Sequence, residues 1–249
     1  MKRVKLVVAY DGTNYCGWQV QKNGETIESV LNRAIGELTG EEIHVMGSSR
    51  TDAGVHACGN VAVFDTEARM AADKFSYALN QRLPEDIRIQ DSCEVPADFH
   101  PRFQKTVKTY EYRILNREFP LPAYRFNSHF TYRKLDVERM RQAAAYLIGE
   151  HDFQSFCAAG AQVKTTVRTI YALDVEKQGD LIILRITVNG FLYNMVRIIA
   201  GTLMKIGQGD WEPECIPEIL AGCDRQLAGP TAPARGLTLM EIHFKGEKG

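Results

Sequence analysis

Apolar residues along this chain recur with two different spacings, and the changes of spacing mark the elements. Val4 to Tyr10 reads as a strand, ended by Asp11-Gly12. Ile27, Val30, Leu31, Ala34, Ile35 and Leu38 then follow helical spacing, with Thr26 as N-cap and Gly40 as stop. Ile43 to Met46 and Val61 to Phe64 read as short strands around a polar, glycine-bearing loop. A helix over residues 71–83 and a strand at Ile87 to Ile89 close the first half. The second half opens with a strand from Thr109 to Ile114. A helix from Asp136 follows, with Val137, Met140, Ala144, Leu147 and Ile148 on one face. Ile170 to Val175 and Leu181 to Val188 form a hairpin turned at Gln178-Gly179-Asp180. Leu192, Met195, Val196, Ile199, Leu203 and Ile206 share one face of a strong helix. A shorter helix near Ile216 to Leu220 and a strand at Leu239 to Phe244 end the chain.

Strand, helix and two strands, repeated with variations, predict an α+β fold with a mixed or antiparallel sheet and helices on one side. The two halves are placed at residues 1–100 and 101–249, with 95–106 as the boundary region and no low-complexity linker between them.

Composition adds little to that picture. The 249 residues are 45% hydrophobic and 24% charged, ordinary for a globular chain. Disorder is expected only at the last few residues, where Lys245, Glu247 and Lys248 lie among glycines. No apolar stretch reaches the length of a signal-peptide core or a membrane span, so the expected compartment is the cytoplasm. The six cysteines are scattered, without a Cys-x-x-Cys pair or zinc-finger spacing, and read as thiols in a reducing compartment.

Charge changes the picture more. The net charge is −1, which does not announce a nucleic-acid binder. Yet Arg102 to Arg168 holds twelve Lys or Arg against six Asp or Glu, interleaved with aromatics from Phe103 and Tyr110 to Phe130 and Tyr132. Basic side chains beside planar ones suit a phosphate backbone with unstacked bases. A solvated basic face beside a core strand has the same composition.

Four segments carry candidate chemistry. Gly47 to Ala57 is a small, polar loop in which Arg50 lies two residues from Asp52. A nearby guanidinium favours an ionised, oriented carboxylate, which covalent catalysis needs; a lone loop Asp is otherwise a turn former or cap. Tyr10 to Gln21 offers amides, glycines and aromatics, and suits a binding loop or a strand end with a buried Trp18. In Lys108 to Arg113, alternation puts Tyr110 and Tyr112 on one face, with Tyr112 a core residue. In Gly190 to Gly201, Arg197 falls in an otherwise apolar helix and should meet a carboxylate or a phosphate.

Ser49-Arg50-Thr51-Asp52-Ala53-Gly54-Val55-His56 resembles the signature of the tRNA pseudouridine synthase A (TruA) family. Five further blocks resemble that family's in the same order: Tyr10 to Gln19, Phe99 to Phe103, Lys108 to Tyr112, His151 to Phe153, and Phe191 to Gly201. The resemblance runs from Val4 to about Phe244. It implies two RRM-like halves joined in one sheet around a central RNA-binding cleft. It implies a cofactor-free, metal-free enzyme, acting as a homodimer, that isomerises uridine to pseudouridine in the anticodon stem-loop of tRNA, at positions 38–40. Asp52 is then the nucleophile, Arg50 its ion-pair partner, Arg197 its support and Tyr110 the residue stacked on the target base. Tyr10, Gln19, Arg102 and Lys108 are further candidate substrate contacts. Asn194, Ile198 and Pro101 depart from residues common at those places in the family.

The reaction breaks a C–N glycosidic bond and forms a C–C bond to the same sugar carbon. This agrees with a chain that lacks a phosphate-binding glycine loop, a dinucleotide fingerprint and a metal-ligand cluster. Asp52 could attack the anomeric carbon, take a ribose proton, or add to the uracil ring; the sequence leaves these open. Three other readings share some residues. They are a binding module with an inert site, a metal-dependent nuclease using Asp11, Asp52 and Asp65, and a glycoside hydrolase with a second carboxylate.

Overall fold

A computed structural model of the protein describes residues 1–160 and 163–244. Lys245, Glu247 and Lys248, expected to be disordered, lie outside the described residues. In chain order the first elements are β1 (Lys2–Tyr10), α1 (Ile27–Thr39), β2 (Met46–Gly47), β3 (His56–Thr66), α2 (Phe75–Asn80) and β4 (Ile87–Val95). Then come β5 (Thr106–Asn116), β6 (His129–Thr131), α3 (Val137–Ala145), β7 (Gly149–Asp152), β8 (Val167–Gln178) and β9 (Leu181–Val188). The chain continues through α4 (Met195–Gly207), α5 (Cys215–Gly222) and β10 (Leu237–Phe244). The described pairings are antiparallel except that of β5 with β6, so the class is α+β with a mixed, largely antiparallel sheet. The chain forms two compact units, Met1–Lys105 with the chain from Leu239 onward, and Thr106–Thr238.

In the first unit the strand order is β4-β1-β3-β10, with β2 added at β3. On β1 the alternate residues Val4, Leu6, Val8 and Tyr10 are buried. Helix α1 buries Ile27, Val30, Leu31, Ala34 and Ile35. Its ends are those the sequence predicts. Thr26 and Ser29 form a reciprocal capping box, and Gly40 takes a left-handed φ of 75°.

Two expectations are corrected here. Helix α2 covers only Phe75–Asn80, preceded by a 3-10 turn at Ala72–Lys74. It stops where the Asn80 side chain turns to bond the Ile89 backbone N–H and C=O, both at 2.8 Å. Strand β3 starts five residues before Val61, at His56, whereas Ile43 to Val45 is not a strand.

In the second unit the order is β5-β9-β8-β7, with β6 on β5. The β8–β9 hairpin closes with Gln178 opposite Leu181, and Gly179 at its tip has φ 61°. Helix α3 starts at the Asp136 cap, whose Oδ1 accepts from Glu138 and Arg139 N–H. It ends before Leu147 and Ile148, so Ile148 is exposed rather than on the apolar face. Helix α4 starts at Met195 and not at Leu192, because Asn194 occupies the left-handed region at φ 60°.

One ion pair ties β1 to β3. Arg3 donates to Asp65 through Nε (2.8 Å) and a terminal nitrogen (2.7 Å), and its other terminal nitrogen reaches the Phe99 carbonyl at 2.9 Å. The Arg3 hydrogen bond holds the Asp65 carboxyl below its usual range. A depressed folded-state pKa means that this stabilisation is complete above the unfolded value, near ~3.9, and is lost as pH falls through the folded value. Asp65→Asn should therefore lower the melting temperature at pH 7 by roughly 1–4 °C, the size of a partly exposed pair in a chain of this length. Melting curves across pH should show that deficit closing below about pH 4.

Candidate active site

The loop that carries Asp52 runs from β2 to β3, and the strand behind it fixes its backbone. Asn60 on β3 is fully buried. Its amide donates to the Ser49 carbonyl (3.0 Å) and its Oδ1 accepts from the Ser49 N–H (3.3 Å). The same amide nitrogen donates to the Tyr10 hydroxyl (3.2 Å), which lies 2.7 Å from Thr51 Oγ1. On the far side Val55 N–H bonds the Asp52 carbonyl at 3.1 Å. Asp52 is half-buried between these anchors.

The segment after β1 presses on the same loop. Trp18 N–H donates to the Thr51 carbonyl at 3.0 Å. Its indole is fully buried and lies flat on Gly47, where a Cβ would stand 2.3 Å from the ring. At Gly17, φ is 89° and a Cβ would meet the Thr51 carbonyl oxygen at 2.7 Å, so only glycine fits twice over. His56 Nδ1 accepts from the Gly12 N–H at 3.1 Å. Asp11 Oδ1 lies 3.1 Å from that nitrogen. Hydrogen bonds from Thr13 and the neighbouring His56 hold the Asp11 carboxyl below its usual value against the opposing effect of burial.

Around this clamp the unit places polar and cationic groups. Arg50 and Gln19 are exposed. Arg102 donates through Nε to the Gly47 carbonyl at 2.9 Å. Burial first, and then the like charge of Arg50, push the Arg102 guanidinium below its ordinary value against the opposing charge of Glu28.

The second unit places the remaining candidates. On β5, Tyr110 is buried to 7% exposure with its ring edge-on to Phe191, centroids 4.8 Å apart. Tyr112 is fully buried and donates to the Pro233 carbonyl at 2.9 Å, a core tyrosine as expected. Lys108 is half-buried. On the opposite face of β5 the buried Glu111 carboxylate takes both Arg113 and Arg185. Arg197, in the first turn of α4, donates to the Ala232 carbonyl (2.7 Å) and to Asn194 Oδ1 (2.8 Å). Its backbone carbonyl accepts from Ala232 N–H at 3.0 Å, so the residue is fixed from both ends.

Asn60, which anchors this loop, is absent from the sequence candidates because the predicted strand begins at Val61, five residues after its true start at His56. A buried amide between Gly59 and the apolar run Val61 to Phe64 was the available signal. Among the described residues no group of three His, Cys, Asp or Glu is arranged to hold a metal ion.

A mixed α+β scaffold that presents a clamped acidic loop beside paired arginines has the makings of an RNA-modifying enzyme. A family model described as tRNA pseudouridine synthase matches residues 6–104 and 143–245, and the chain belongs to that family. Relatives named tRNA pseudouridine synthase A align over nearly its whole length. That of Acetivibrio thermocellus is 48% identical over 244 residues, covering 98% of this chain and 100% of the relative. Those of Ruminiclostridium cellulolyticum and Brevibacillus brevis are 49% and 50% identical over 245 residues, with the same coverage. The chain is accordingly an isomerase that converts uridine to pseudouridine in tRNA, on the fold of its family.

Asn60→Ala should leave buried Ser49 backbone groups without their partner and cost about 2–4 kcal/mol of stability. It should also lower kcat by at least about tenfold, because misplaced reacting groups forfeit orientation. Thermal melts and a turnover assay on the folded fraction check both effects.

Proposed function

We propose that Asp52 is the nucleophile of the uridine-to-pseudouridine reaction and that the target uridines lie in the anticodon stem-loop of tRNA. The observation that carries this reading is the clamped backbone around Asp52: Ser49, Thr51 and Val55 are all held, while small residues flank the carboxylate. A fixed carboxylate beside open space is what a covalent step on a bulky nucleotide requires. Arg50 supplies positive charge beside the carboxylate, Arg197 is the supporting cation, and Tyr110 is the ring on which the uracil stacks. Tyr10 holds the loop through Thr51, and Gln19, Arg102 and Lys108 contact the RNA.

The chemistry balances without a co-reactant. The N1–C1′ bond breaks, the uracil turns, and a C5–C1′ bond forms. The proton on C5 leaves and N1 ends protonated. Tyr110 is suited to retain the turning base by stacking, worth roughly 1–3 kcal/mol, and its hydroxyl is the candidate acceptor of the C5 proton. The target must first leave its helical stack at a cost of a few kcal/mol, which phosphate contacts offset. We further propose that the enzyme is a cytoplasmic homodimer; no helix among the described residues is long and apolar enough to cross a membrane.

Tritium release from tRNA carrying 5-tritiated uridine tests the assignment, with the assay run in EDTA. Wild-type protein should release tritium at an undiminished rate in EDTA. Asp52→Ala should lower release by more than about a thousandfold while the tRNA dissociation constant stays within about threefold. Retained turnover would remove Asp52 as nucleophile. Tyr110→Phe keeps the stacking face and should bind normally but release tritium slowly; full rate would end the proton-acceptor role alone. Mapping the modified positions tests the anticodon assignment, and sedimentation tests the dimer.

A further inference from the structure

The loop leaving β4 carries an aromatic pair that none of these roles uses. His100 and Phe103 stack with centroids 4.0 Å apart and planes 22° from parallel. Phe103 is 83% exposed, so the imidazole covers one ring face and the other faces solvent. A phenylalanine kept in that state forgoes the burial its ring would gain elsewhere.

The pair is held rigidly. On one side the Phe99 ring packs edge-on against Phe244 at 5.2 Å, and its carbonyl takes Arg3. On the other, the carbonyl of buried Pro101 accepts from Ser48 Oγ at 2.9 Å, and Arg102 Nε bonds the Gly47 carbonyl at 2.9 Å. Within the turn, His100 Nδ1 accepts from Arg102 N–H, and the His100 carbonyl from Phe103 N–H, both at 3.2 Å. Two of these bonds therefore fasten the platform to the start of the Asp52 loop. Arg102, within the same turn, also feels the like charge of Arg50, second to its own burial and against the charge of Glu28.

We propose that the His100–Phe103 pair is a stacking platform for an unpaired base of the tRNA next to the target uridine, with Arg50 and Arg102 taking the adjoining phosphate. Flipping a target nucleotide strips its neighbour of a stacking partner, and an exposed ring restores one. Planar guanidiniums suit the phosphate between two such nucleotides. The proposal rests on the reading of Asp52 only for which nucleotide lies there; binding itself is read without chemistry.

Phe103→Ala, at an exposed position, should keep the wild-type melting temperature. It should weaken binding of unmodified tRNA transcript, and raise KM, by about 5- to 150-fold. That range is the usual ~1–3 kcal/mol of base stacking, at 1.4 kcal/mol per tenfold. The kcat for tritium release should stay within about threefold, and Phe103→Tyr should restore affinity. The salt dependence of binding should be unchanged in Phe103→Ala and shallower by about one ion in Arg102→Ala. A 2-aminopurine placed beside the target should be quenched by wild type and not by Phe103→Ala. Affinity within twofold of wild type with no quenching at any flanking position would overturn the platform. So would a loss of kcat at unchanged affinity, or a change in sedimentation mass at unchanged affinity, which would make the pair a protein contact. If Asp52→Ala still turned over while Phe103→Ala weakened binding, the nucleophile assignment would fall and the platform would stand.

Discussion

One buried amide holds the Asp52 loop in place. Asn60 bonds both backbone groups of Ser49 and the hydroxyl of Tyr10, and the hydroxyl is in turn paired with Thr51. In a fully buried site each of these groups needs its partner, because an unmet one keeps its whole desolvation cost. The network is set by strand register. Val8 stands opposite Asn60, but Tyr10 stands opposite Ala57, so β3 carries one residue more than β1 across this stretch. Before that irregularity, Asn60 faces Val8, and Tyr10 lies two residues further along β1, so alternation puts Tyr10 and Asn60 on the same buried side, with Tyr10 reaching Thr51.

The first turn of α4 solves a similar problem by other means. Asn194 adopts φ 60°, where most residues are strained but asparagine is tolerated. Its side chain accepts from Arg197 instead of capping the helix N–H groups. Gly201, one turn on, lets the Pro230 carbonyl approach to within 1.8 Å of where a Cβ would stand. The segment around Pro230 to Ala232 can then lie against the helix and bond Arg197 at both its backbone and its guanidinium. Glycine here is a requirement of approach rather than of backbone angle.

The sequence made some parts of this legible and hid others for physical reasons. Helix α1 is legible to the residue because Thr26 and Gly40 are local signals that act within one turn; the Ser29 half of the capping box is added by the structure. The β8–β9 turn was equally local. The end of α2 is set by a tertiary contact, the Asn80 side chain bonding a strand, and the start of α4 by the left-handed backbone of Asn194, neither of which periodicity signals. Apolar periodicity carried past the true ends, so Leu192 and Ile148 were counted as helical. Asp52 and Arg50 stood out through their neighbours in sequence, but the direction of the Arg50 charge did not. The like charge of Arg50 also acts on Arg102, about fifty residues on, and no spacing rule reaches that far.

The same distance explains why net charge was a poor guide. A chain of net charge −1 can still present a strong local field, since screening confines exposed charges to neighbours within about 10 Å. Many basic residues are already paired with carboxylates: Arg3 with Asp65, Arg113 and Arg185 with Glu111, Arg133 with Asp210. Charge that is shared with a carboxylate contributes less to an approaching phosphate. Arg50 and Arg102 are different, because each is the other's unfavourable neighbour. Their repulsion is a small cost in the free protein that an anion removes on arrival. Charge of this kind favours RNA at one place on the surface without making the whole molecule basic. It lies beside the loop that the Asn60 network holds still.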